Sequence, residues 1–321
     1  MSSKIVENLL FRSFRMWYWL KMLAGKSYHH KPQNLGKVFE PNKLSGYFND
    51  LTGKILWTGE VDAEGVPVNT LSDGRKFQFP ILITQKALGH WDRWLMKKDD
   101  KDKQQFLILC NWLLEHQDES GGWDTWQSFL GPQYAKYSAM TQGQALSVLS
   151  RALQLMNDSR FREAAEKAFD LFLIGAEEGG VTYFKGDAVF LEEAPSQPRN
   201  TVLNGWIFAL FGLYDYNLAV NQTAAGELFE RSIDTLAQHL AGYDSGYWSY
   251  YDSQKHISSS FYHRLHISQL EALSLISENR VFEKYHQRWT SFGDGFIKRT
   301  RAFVVKAFQK LKEPARITIV K

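Results

Sequence analysis

The stretch T-V-L-N-G-W-I-F-A-L-F-G-L-Y-D-Y, residues 201–216, predicts a helix that is apolar on almost every side. Such a helix is stable only where other elements enclose it. Residues 159–176 show the contrasting pattern, with an apolar face opposite a charged one. The apolar face carries Phe161, Ala165, Ala168, Phe169 and Phe172. An enclosed helix beside an amphipathic one indicates inner helices surrounded by outer helices.

Helical patterns continue from Pro80 onward and fall into eight segments. We expect helices near residues 80–98, 102–117, 138–156, 159–176, 200–218, 222–242, 261–277 and 279–310. Eight consecutive helices make four helical hairpins, so we predict a mainly α fold, an incomplete α/α toroid. Three connections, 118–137, 178–199 and 243–260, carry most of the unusual side chains. Within the second, V-T-Y-F-K-G-D-A-V-F-L-E-E (residues 181–193) predicts an inserted β-hairpin.

The region before the helices is rich in turns. Alternating polar and apolar residues at 54–57 and 76–79, with the turn signal Asp73-Gly74 nearby, predict β-hairpins. We therefore divide the chain into four parts. These are a basic amphipathic segment (1–37), a β-hairpin region (38–79), the toroid (80–295) and a basic tail (296–321).

The positive charge of the chain is concentrated in its first and last parts. Residues 1–37 carry a net +6 and residues 296–321 a net +7, which leaves −10 on the middle of a chain whose total is +3. Such basic stretches with interspersed aromatic residues either lie on an anionic membrane surface or pack as helices on their own domain. Charges such as Arg12, Arg15 and Lys21 interrupt the apolar runs, so we expect no transmembrane span.

The single cysteine, Cys110, lies in an apolar run and excludes an internal disulfide. The first residues lack the uninterrupted apolar core of a signal peptide. Both observations favour a bacterial cytoplasmic protein, with membrane association through the basic stretches as an open alternative.

Residues 244–270 read D-S-G-Y-W-S-Y-Y-D-S-Q-K-H-I-S-S-S-F-Y-H-R-L-H-I-S-Q-L and combine five tyrosine or tryptophan rings, three histidines, Lys255 and Arg264. Aromatic residues at this density are typical of a core, whereas phenols beside cations are also what a sugar-acid site requires. His263 and His266 lie three positions apart on a predicted helix, but no zinc-protease pattern or carboxylate cluster accompanies them. We therefore predict no metal.

Several long motifs follow one another along the chain. They are G-V-P-V-N-T (65–70), F-P-I-L-I-T-Q-K-A-L-G-H (79–90), W-L-L-E-H-Q-D-E-S-G-G-W (112–123), Y-S-A-M-T-Q-G-Q-A-L-S-V-L-S-R-A (137–152), E-E-A-P-S-Q-P-R-N-T-V-L-N-G-W-I-F-A-L-F-G-L-Y-D (192–215) and Y-H-R-L-H-I-S-Q-L (262–270). The last four resemble the C-terminal catalytic domain of heparosan D-glucuronyl C5-epimerases, and the first two resemble the segment that precedes the central β domain of the same family. The resemblance extends from about residue 60 to about residue 293. The resemblance implies an α/α toroid and chemistry at C5 of a hexuronic acid within a polysaccharide.

The chain departs from this family in two places. The large β domain that animal members carry before the helices is absent, and a charged linker joins Trp94 to Phe106. The family's Glu-Glu-Tyr-Pro pattern has Ala194 at the position of the tyrosine. The first departure bears on the polymer that is bound, and the second removes one phenol from the site.

The resemblance also implies roles for individual residues. Glu193 matches the catalytic glutamate, and Tyr251 and Tyr262 match the catalytic tyrosines. An arginine that helps to bind the uronate in animal members has no close counterpart, so we expect Lys255 to supply that cation. Further substrate-binding candidates are His263, Arg264, Asn204, Trp123, Trp126 and Tyr137. The aromatic candidates among them either stack on sugar rings or pack in the core.

Epimerisation at C5 explains why such groups are needed. The C5 hydrogen is weakly acidic, since its removal places a second negative charge beside the C6 carboxylate. Inversion requires a base on one face of the ring and a proton donor on the other. Hydrogen bonds or cations must face the carboxylate, where charge accumulates. We hypothesise that Glu193 acts on one face and Tyr262 or Tyr251 on the other.

The sequence thus predicts a polysaccharide D-glucuronyl C5-epimerase that converts glucuronate to iduronate residues in heparosan or a related uronate polymer. The mechanism requires no cofactor. We expect a homodimer whose partner is an anionic polysaccharide and not a nucleic acid. Two alternatives stay open. One is a uronate polysaccharide lyase of the same architecture, which would expel the C4 substituent. The other is a non-catalytic polysaccharide-binding protein.

Overall fold

The computed structural model describes residues 30–312, apart from the side chain of Phe129. This part of the chain forms ten α-helices and five short strands. The helices are α1 Pro80–Lys97, α2 Asp100–His116, α3 Gln127–Leu130, α4 Ala139–Met156, α5 Ser159–Leu173, α6 Leu203–Val220, α7 Thr223–His239, α8 Ser260–Ile276, α9 Arg280–Gly293 and α10 Phe296–Lys312. The strands are β1 Glu60–Val61, β2 Pro67–Thr70, β3 Lys76–Phe77, β4 Thr182–Lys185 and β5 Ala188–Leu191.

Four helical hairpins form the body of the fold. The inner helices α1, α4, α6 and α8 pack against one another in that order, and α2, α5, α7 and α9 each pack outside the inner helix that precedes them. Every residue from 203 to 213 in α6 is buried, whereas α5 buries its predicted apolar face together with Ala164 and Leu171. The prediction of a mainly α, incomplete α/α toroid with four hairpins is confirmed.

The inner helices α4 and α6 approach each other closely at two glycines. A Cβ atom added to Gly212 in α6 would lie 2.1 Å from the carbonyl oxygen of Gly143 in α4. Backbone atoms cannot move aside as a flexible side chain can, so a side chain at this position forces the two helices apart. This contact sets the spacing of the inner row.

The small sheet and the last helices differ from the prediction in detail. Residues 54–57 do not form a strand, because the chain turns as a 3₁₀ helix over Thr52–Leu56, where the Lys54 N–H donates to the Leu51 carbonyl at 2.8 Å. The three-stranded antiparallel sheet is instead β1-β2-β3. The predicted helix 279–310 is interrupted at residues 294–295 and forms α9 and α10. The hairpin predicted within 181–193 is present as β4 and β5.

Residues 30–56, which we call the closing segment, contact both ends of the inner row. Asn49 donates from Nδ2 to the Ser268 hydroxyl of α8 at 2.9 Å. The Leu51 carbonyl lies so close to α1 that a Cβ atom at Gly89 would be 2.5 Å from it. Phe48 stacks on Phe211 of α6 with ring centroids 4.1 Å apart. The closing segment therefore completes the wall that four hairpins leave open.

A buried charged cluster anchors the closing segment towards the C-terminal ends of the inner helices. Arg151 of α4 forms an ion pair with Asp215 of α6 at 2.5 Å. The same guanidinium donates to the carbonyls of Ser45 and Gly46, each at 3.1 Å. Both charged side chains are at most 1% exposed. The ion pair and the hydrogen bonds therefore replace the interactions with water that the two charges lose on burial.

Within residues 30–312 we find no helix with the length and apolar character that crossing a membrane requires. Most of the basic segment predicted at 1–37, and residues 313–321 of the basic tail, lie outside the described residues. The division of the chain at residues 37, 79 and 295 stays a prediction.

Replacement of Gly212 by alanine should destabilise the toroid, because the new methyl group meets the Gly143 carbonyl. We expect Gly212→Ala to lower the free energy of unfolding by about 1–3 kcal/mol. The control is Gly242→Ala, where an added Cβ atom has no neighbour within 4 Å. Urea unfolding followed by circular dichroism compares the two variants. Equal midpoints would show that the helices do not meet at this glycine.

Candidate active site

A cavity of about 380 Å³ lies at the N-terminal ends of the four inner helices. Each inner helix contributes lining residues from its first turns: Ile81, Leu82 and Gln85 of α1, Met140 of α4, Asn204 and Phe208 of α6, and Phe261, Tyr262 and Leu265 of α8. The N-terminus of a helix carries a partial positive charge from the aligned peptide dipoles. Four such ends around one cavity favour an anionic ligand.

Glu193 enters this cavity directly after β5. The Ala139 N–H donates to the Glu192 carbonyl at 2.9 Å, which ties the end of the strand to the start of α4. The Glu193 carboxylate lies against the first turn of α6, where a Cβ atom at Gly205 would be 2.2 Å from its Oε2. Only a glycine leaves room for the carboxylate there.

The surroundings of Glu193 favour its protonated form. Burial raises the pKa of Glu193 to about 7. The side-chain hydrogen bond to its carboxylate, from the Asn204 amide to Oε2, is long at 3.5 Å and offsets this effect little. Trp126 donates from Nε1 to the Glu193 backbone carbonyl at 2.8 Å and so holds the residue in place. Near neutral pH the carboxyl group can therefore both release and take up a proton.

Tyr251 and Tyr262 line the same cavity from two different elements. The Tyr251 carbonyl accepts from the Leu203 N–H at 3.0 Å, which fixes the loop to α6. Tyr262 stands in the first turn of α8, which Ser259 caps through its hydroxyl. The two rings meet edge to face with centroids 4.8 Å apart. Burial raises the pKa of both phenols, and the nearby Glu193 raises each further.

Lys54 of the closing segment also lines the cavity, and the sequence analysis did not single it out. It is the only lysine or arginine among the described lining residues. Its side chain is almost fully buried, and burial lowers the pKa of its ammonium group to about 8. The available signal was weak: a single lysine within G-K-I-L-W, where an alternating strand was expected.

His30 is a second residue that the sequence analysis missed. Its ring lies edge-on to Phe261 and Tyr262, with centroids 5.0 and 5.8 Å away. Like Lys54, it belongs to the closing segment. One wall of the cavity is thus built by residues that precede the helical region.

The three predicted cations of residues 255–264 lie elsewhere. Lys255 is exposed at a turn with φ of 66°, and Arg264 is exposed on α8. His263 is buried and stacked on Trp248 with centroids 3.7 Å apart. Burial lowers the pKa of His263 to about 3, so its ring is neutral and packs in the core. None of the three lines the cavity.

The predicted aromatic candidates divide between the cavity and the core. Trp126 lines the cavity, as does the polar candidate Asn204. Trp123 is buried and donates from Nε1 to the Leu113 carbonyl at 3.0 Å, so it packs in the core. Tyr137 donates its hydroxyl to Asp118 at 2.8 Å and supports the loop away from the cavity.

Glu192 differs from Glu193 in its surroundings. The Glu192 carboxylate accepts from the Thr201 hydroxyl at 2.7 Å and does not line the cavity, so only the second glutamate of the pair faces it. Among residues 30–312, no three His, Cys, Asp or Glu side chains are grouped as metal ligands.

Comparison with known proteins identifies the family. The sequence model of the family described as D-glucuronyl C5-epimerase C-terminus matches residues 117–291. A D-glucuronyl C5-epimerase of Caenorhabditis elegans is 28% identical over 63% of this chain and 37% of that protein. An uncharacterized protein of Methanocaldococcus jannaschii is 28% identical over 65% of each chain. The chain thus spans less than two thirds of the length of these relatives.

Solved structures were compared as well. An unsaturated glucuronyl hydrolase from Bacillus sp. GL1 is 16% identical with a TM-score of 0.44, over 69% of this chain and 61% of that one. A GH76 α-mannanase from Bacteroides thetaiotaomicron is 12% identical with a TM-score of 0.48, over 70% of this chain and 58% of that one.

The matched range of the family model is more than half of the chain and contains Glu193, Tyr251 and Tyr262. This chain belongs to the D-glucuronyl C5-epimerase C-terminus family.

Proposed function

We propose that the protein is a polysaccharide D-glucuronyl C5-epimerase that converts glucuronate to iduronate within heparosan or a related uronate polymer. One observation carries this proposal: a carboxyl group with a pKa near neutrality shares a cavity with two half-buried phenols. Proton removal and proton return at one carbon need such a pair of groups. Family membership and the relative from Caenorhabditis elegans support the same reaction.

Glu193 is the group suited to remove the C5 proton. A general base works best when its pKa lies close to the working pH, because it is then both sufficiently ionised and sufficiently basic. Burial brings Glu193 to this range. The resting carboxylate takes the proton from C5, and the electron pair of the C–H bond moves into the C6 carboxylate to form an enolate dianion.

Tyr251 or Tyr262 returns a proton to the opposite face of C5. Burial raises the pKa of both phenols, so both are protonated at neutral pH and able to donate. Their edge-to-face packing leaves one phenol to donate the proton and the other to hydrogen-bond the substrate carboxylate. Each turnover leaves Glu193 protonated and one phenol ionised, and proton exchange with water restores both.

Lys54 supplies the positive charge that the enolate requires. The first turns of the inner helices add partial positive charge around the same cavity. A cation held in a buried site stabilises developing charge more strongly than one exposed to water. Lys54 therefore takes the role that the sequence analysis gave to Lys255, which lies outside the cavity.

The remaining expectations concern partners and location. The polymer substrate, the homodimer and a cytoplasmic location stay predictions. A lyase would use the same proton abstraction but expel the C4 substituent, and a binding protein would do neither. The exchange experiment below separates these alternatives from the epimerase.

Loss of any of the three proposed proton-transfer or carboxylate-binding groups should strongly slow exchange of the C5 hydrogen. We expect Glu193→Gln, Tyr251→Phe and Tyr262→Phe to slow deuterium incorporation into heparosan about 10²–10⁴-fold in deuterated water. Tyr250→Phe is the matched control, since Tyr250 lies on the same loop but outside the cavity.

Mass spectrometry of the digested polymer measures the exchange, and absorbance of unsaturated uronate is followed in parallel. Full activity in all three variants would refute the assignment. Growth of the absorbance band in the wild type would identify a lyase, and binding without exchange or absorbance would identify a binding protein.

The acidic limb of the pH–rate profile should reflect the ionisation of the Glu193 carboxyl group. Only the ionised carboxylate accepts a proton, and its fraction rises with pH through a pKa of about 7. We therefore expect kcat/KM for exchange to increase from about pH 5.5 to about pH 7.5, with the acidic limb centred at about 7, and to fall above about pH 8 as Lys54 loses its proton. An acidic limb centred near 4.5, the ordinary value for glutamate, would show that Glu193 is not the base.

Substitution of Lys54 should weaken the reaction more than substitution of Lys255. We expect Lys54→Met to lower kcat/KM about 10²–10³-fold, because the enolate loses its buried cation. Lys255→Met should leave the rate unchanged, since its side chain is exposed and outside the cavity. Thermal unfolding of both variants controls for stability. The opposite ranking would restore Lys255 as the cation of the site.

A further inference from the structure

Helix α10 exposes an unusual apolar surface. Phe296 and Ile297 are 80% and 81% exposed, and Phe308 and Leu311 are 62% and 63% exposed. Ile297, Val304, Phe308 and Leu311 are exposed on one side of the helix, because positions seven, eleven and fourteen residues apart return to nearly the same direction. Scattered apolar residues are ordinary on a surface, but a continuous stripe of this kind marks an interaction site. We call it the outer face of α10.

The charge of this helix is entirely positive. Between residues 296 and 312 the chain has six lysine or arginine residues and no aspartate or glutamate. Two of them pack over aromatic rings near the N-terminal end of the helix. The Lys298 ammonium group lies 4.4 Å from the Phe292 ring centroid, and the Arg301 guanidinium lies 4.0 Å from the Tyr247 ring centroid. The outer face therefore combines large apolar side chains with positively charged side chains on the same helix.

The opposite side of α10 is docked on the body of the protein. Gln309 accepts a hydrogen bond from the Ile257 N–H at 2.9 Å. Lys306 places its ammonium group 5.8 Å from the Tyr251 ring centroid. Ala302 is buried beside Trp248. The helix is thus held in place by the loop that carries Tyr251, and its outer face points away from that loop.

Charge and apolar area together limit what can cover the outer face. A second copy of the chain would bring one strongly basic helix against another in a symmetric contact, and like charges repel. A free anionic polysaccharide would satisfy the cations but not the exposed Phe308 and Leu311. A bilayer with anionic headgroups satisfies both, since apolar side chains enter the interface while lysine and arginine meet the headgroups.

We propose that the outer face of α10 binds the surface of an anionic lipid bilayer, with the helix lying in the interface plane. Phe308 and Leu311 insert below the headgroups, and the exposed cations of the helix contact the headgroups. The inference concerns a surface outside the cavity, so it does not depend on the proposed reaction. It also names the part of the basic tail that would make such a contact.

Co-sedimentation of the full chain with vesicles tests this surface. Vesicles of equal parts phosphatidylglycerol and phosphatidylcholine should bind the wild-type protein, and vesicles of phosphatidylcholine alone should bind it at least about tenfold more weakly. The double variant Phe308→Ser/Leu311→Ser should lose about tenfold or more of its affinity for the anionic vesicles. High salt should weaken wild-type binding.

The control replaces two leucines on other helices that are about half exposed. Leu173 of α5 and Leu275 of α8 are 49% and 48% exposed, and Leu173→Ser/Leu275→Ser should bind vesicles as the wild type does. Circular dichroism confirms that both double variants are folded.

Three outcomes would overturn the proposal. Unchanged vesicle binding by Phe308→Ser/Leu311→Ser would place any membrane contact elsewhere. A wild-type dimer in sedimentation equilibrium that this variant converts to a monomer, without vesicle binding, would identify a second copy as the occupant. Equal binding of dextran sulfate by wild type and variant, again without vesicle binding, would indicate recognition of polyanions through charge alone.

Discussion

The ion pair between Arg151 and Asp215 is the interaction on which the rest of the molecule depends. It joins two inner helices, and the remaining donors of the guanidinium hold the closing segment through backbone carbonyls. A buried charge that loses its partner is costly, so neither side chain can be replaced alone. The Tyr47 N–H also donates a hydrogen bond to the Asp92 carboxyl group of α1 at 2.8 Å. Burial raises the pKa of Asp92 to about 8. Through this cluster the closing segment is fixed, and with it the position of Lys54.

The site combines two kinds of electrostatic environment. Glu193 and the two phenols lie in an apolar setting that disfavours their ionised forms. In the proposed function, the carboxylate of a uronate meets Lys54 and the N-terminal ends of four helices in the same cavity. Protonation near neutrality and stabilisation of an anion therefore arise from one architectural feature, the convergence of the inner helices. This arrangement explains why residues distant in sequence share one chemical environment.

Much of the fold and part of the site were predictable from the sequence. Periodicity revealed the enclosed character of α6 and the amphipathic α5, because burial on all sides or on one side leaves a local pattern. The resemblance pointed to Glu193, Tyr251 and Tyr262, which the fold brings into one cavity. Local sequence could not show that Lys54 faces this cavity, since its position depends on contacts with helices far along the chain. Nor could it show that His263 and Trp123 pack in the core, since histidine and tryptophan side chains suit a binding site equally well.

The closing segment also has a consequence for the order in which the protein folds. The hydrogen bond between Asn49 and Ser268 joins residues 219 positions apart. On the ribosome, residues 30–56 emerge long before α8, so their final partner is absent while most of the toroid is being made. Contacts of such long sequence separation form slowly, because the intervening chain must be ordered first. We therefore expect the contact between the closing segment and α8 to be among the last to form, so that the cavity closes only after the helical body exists.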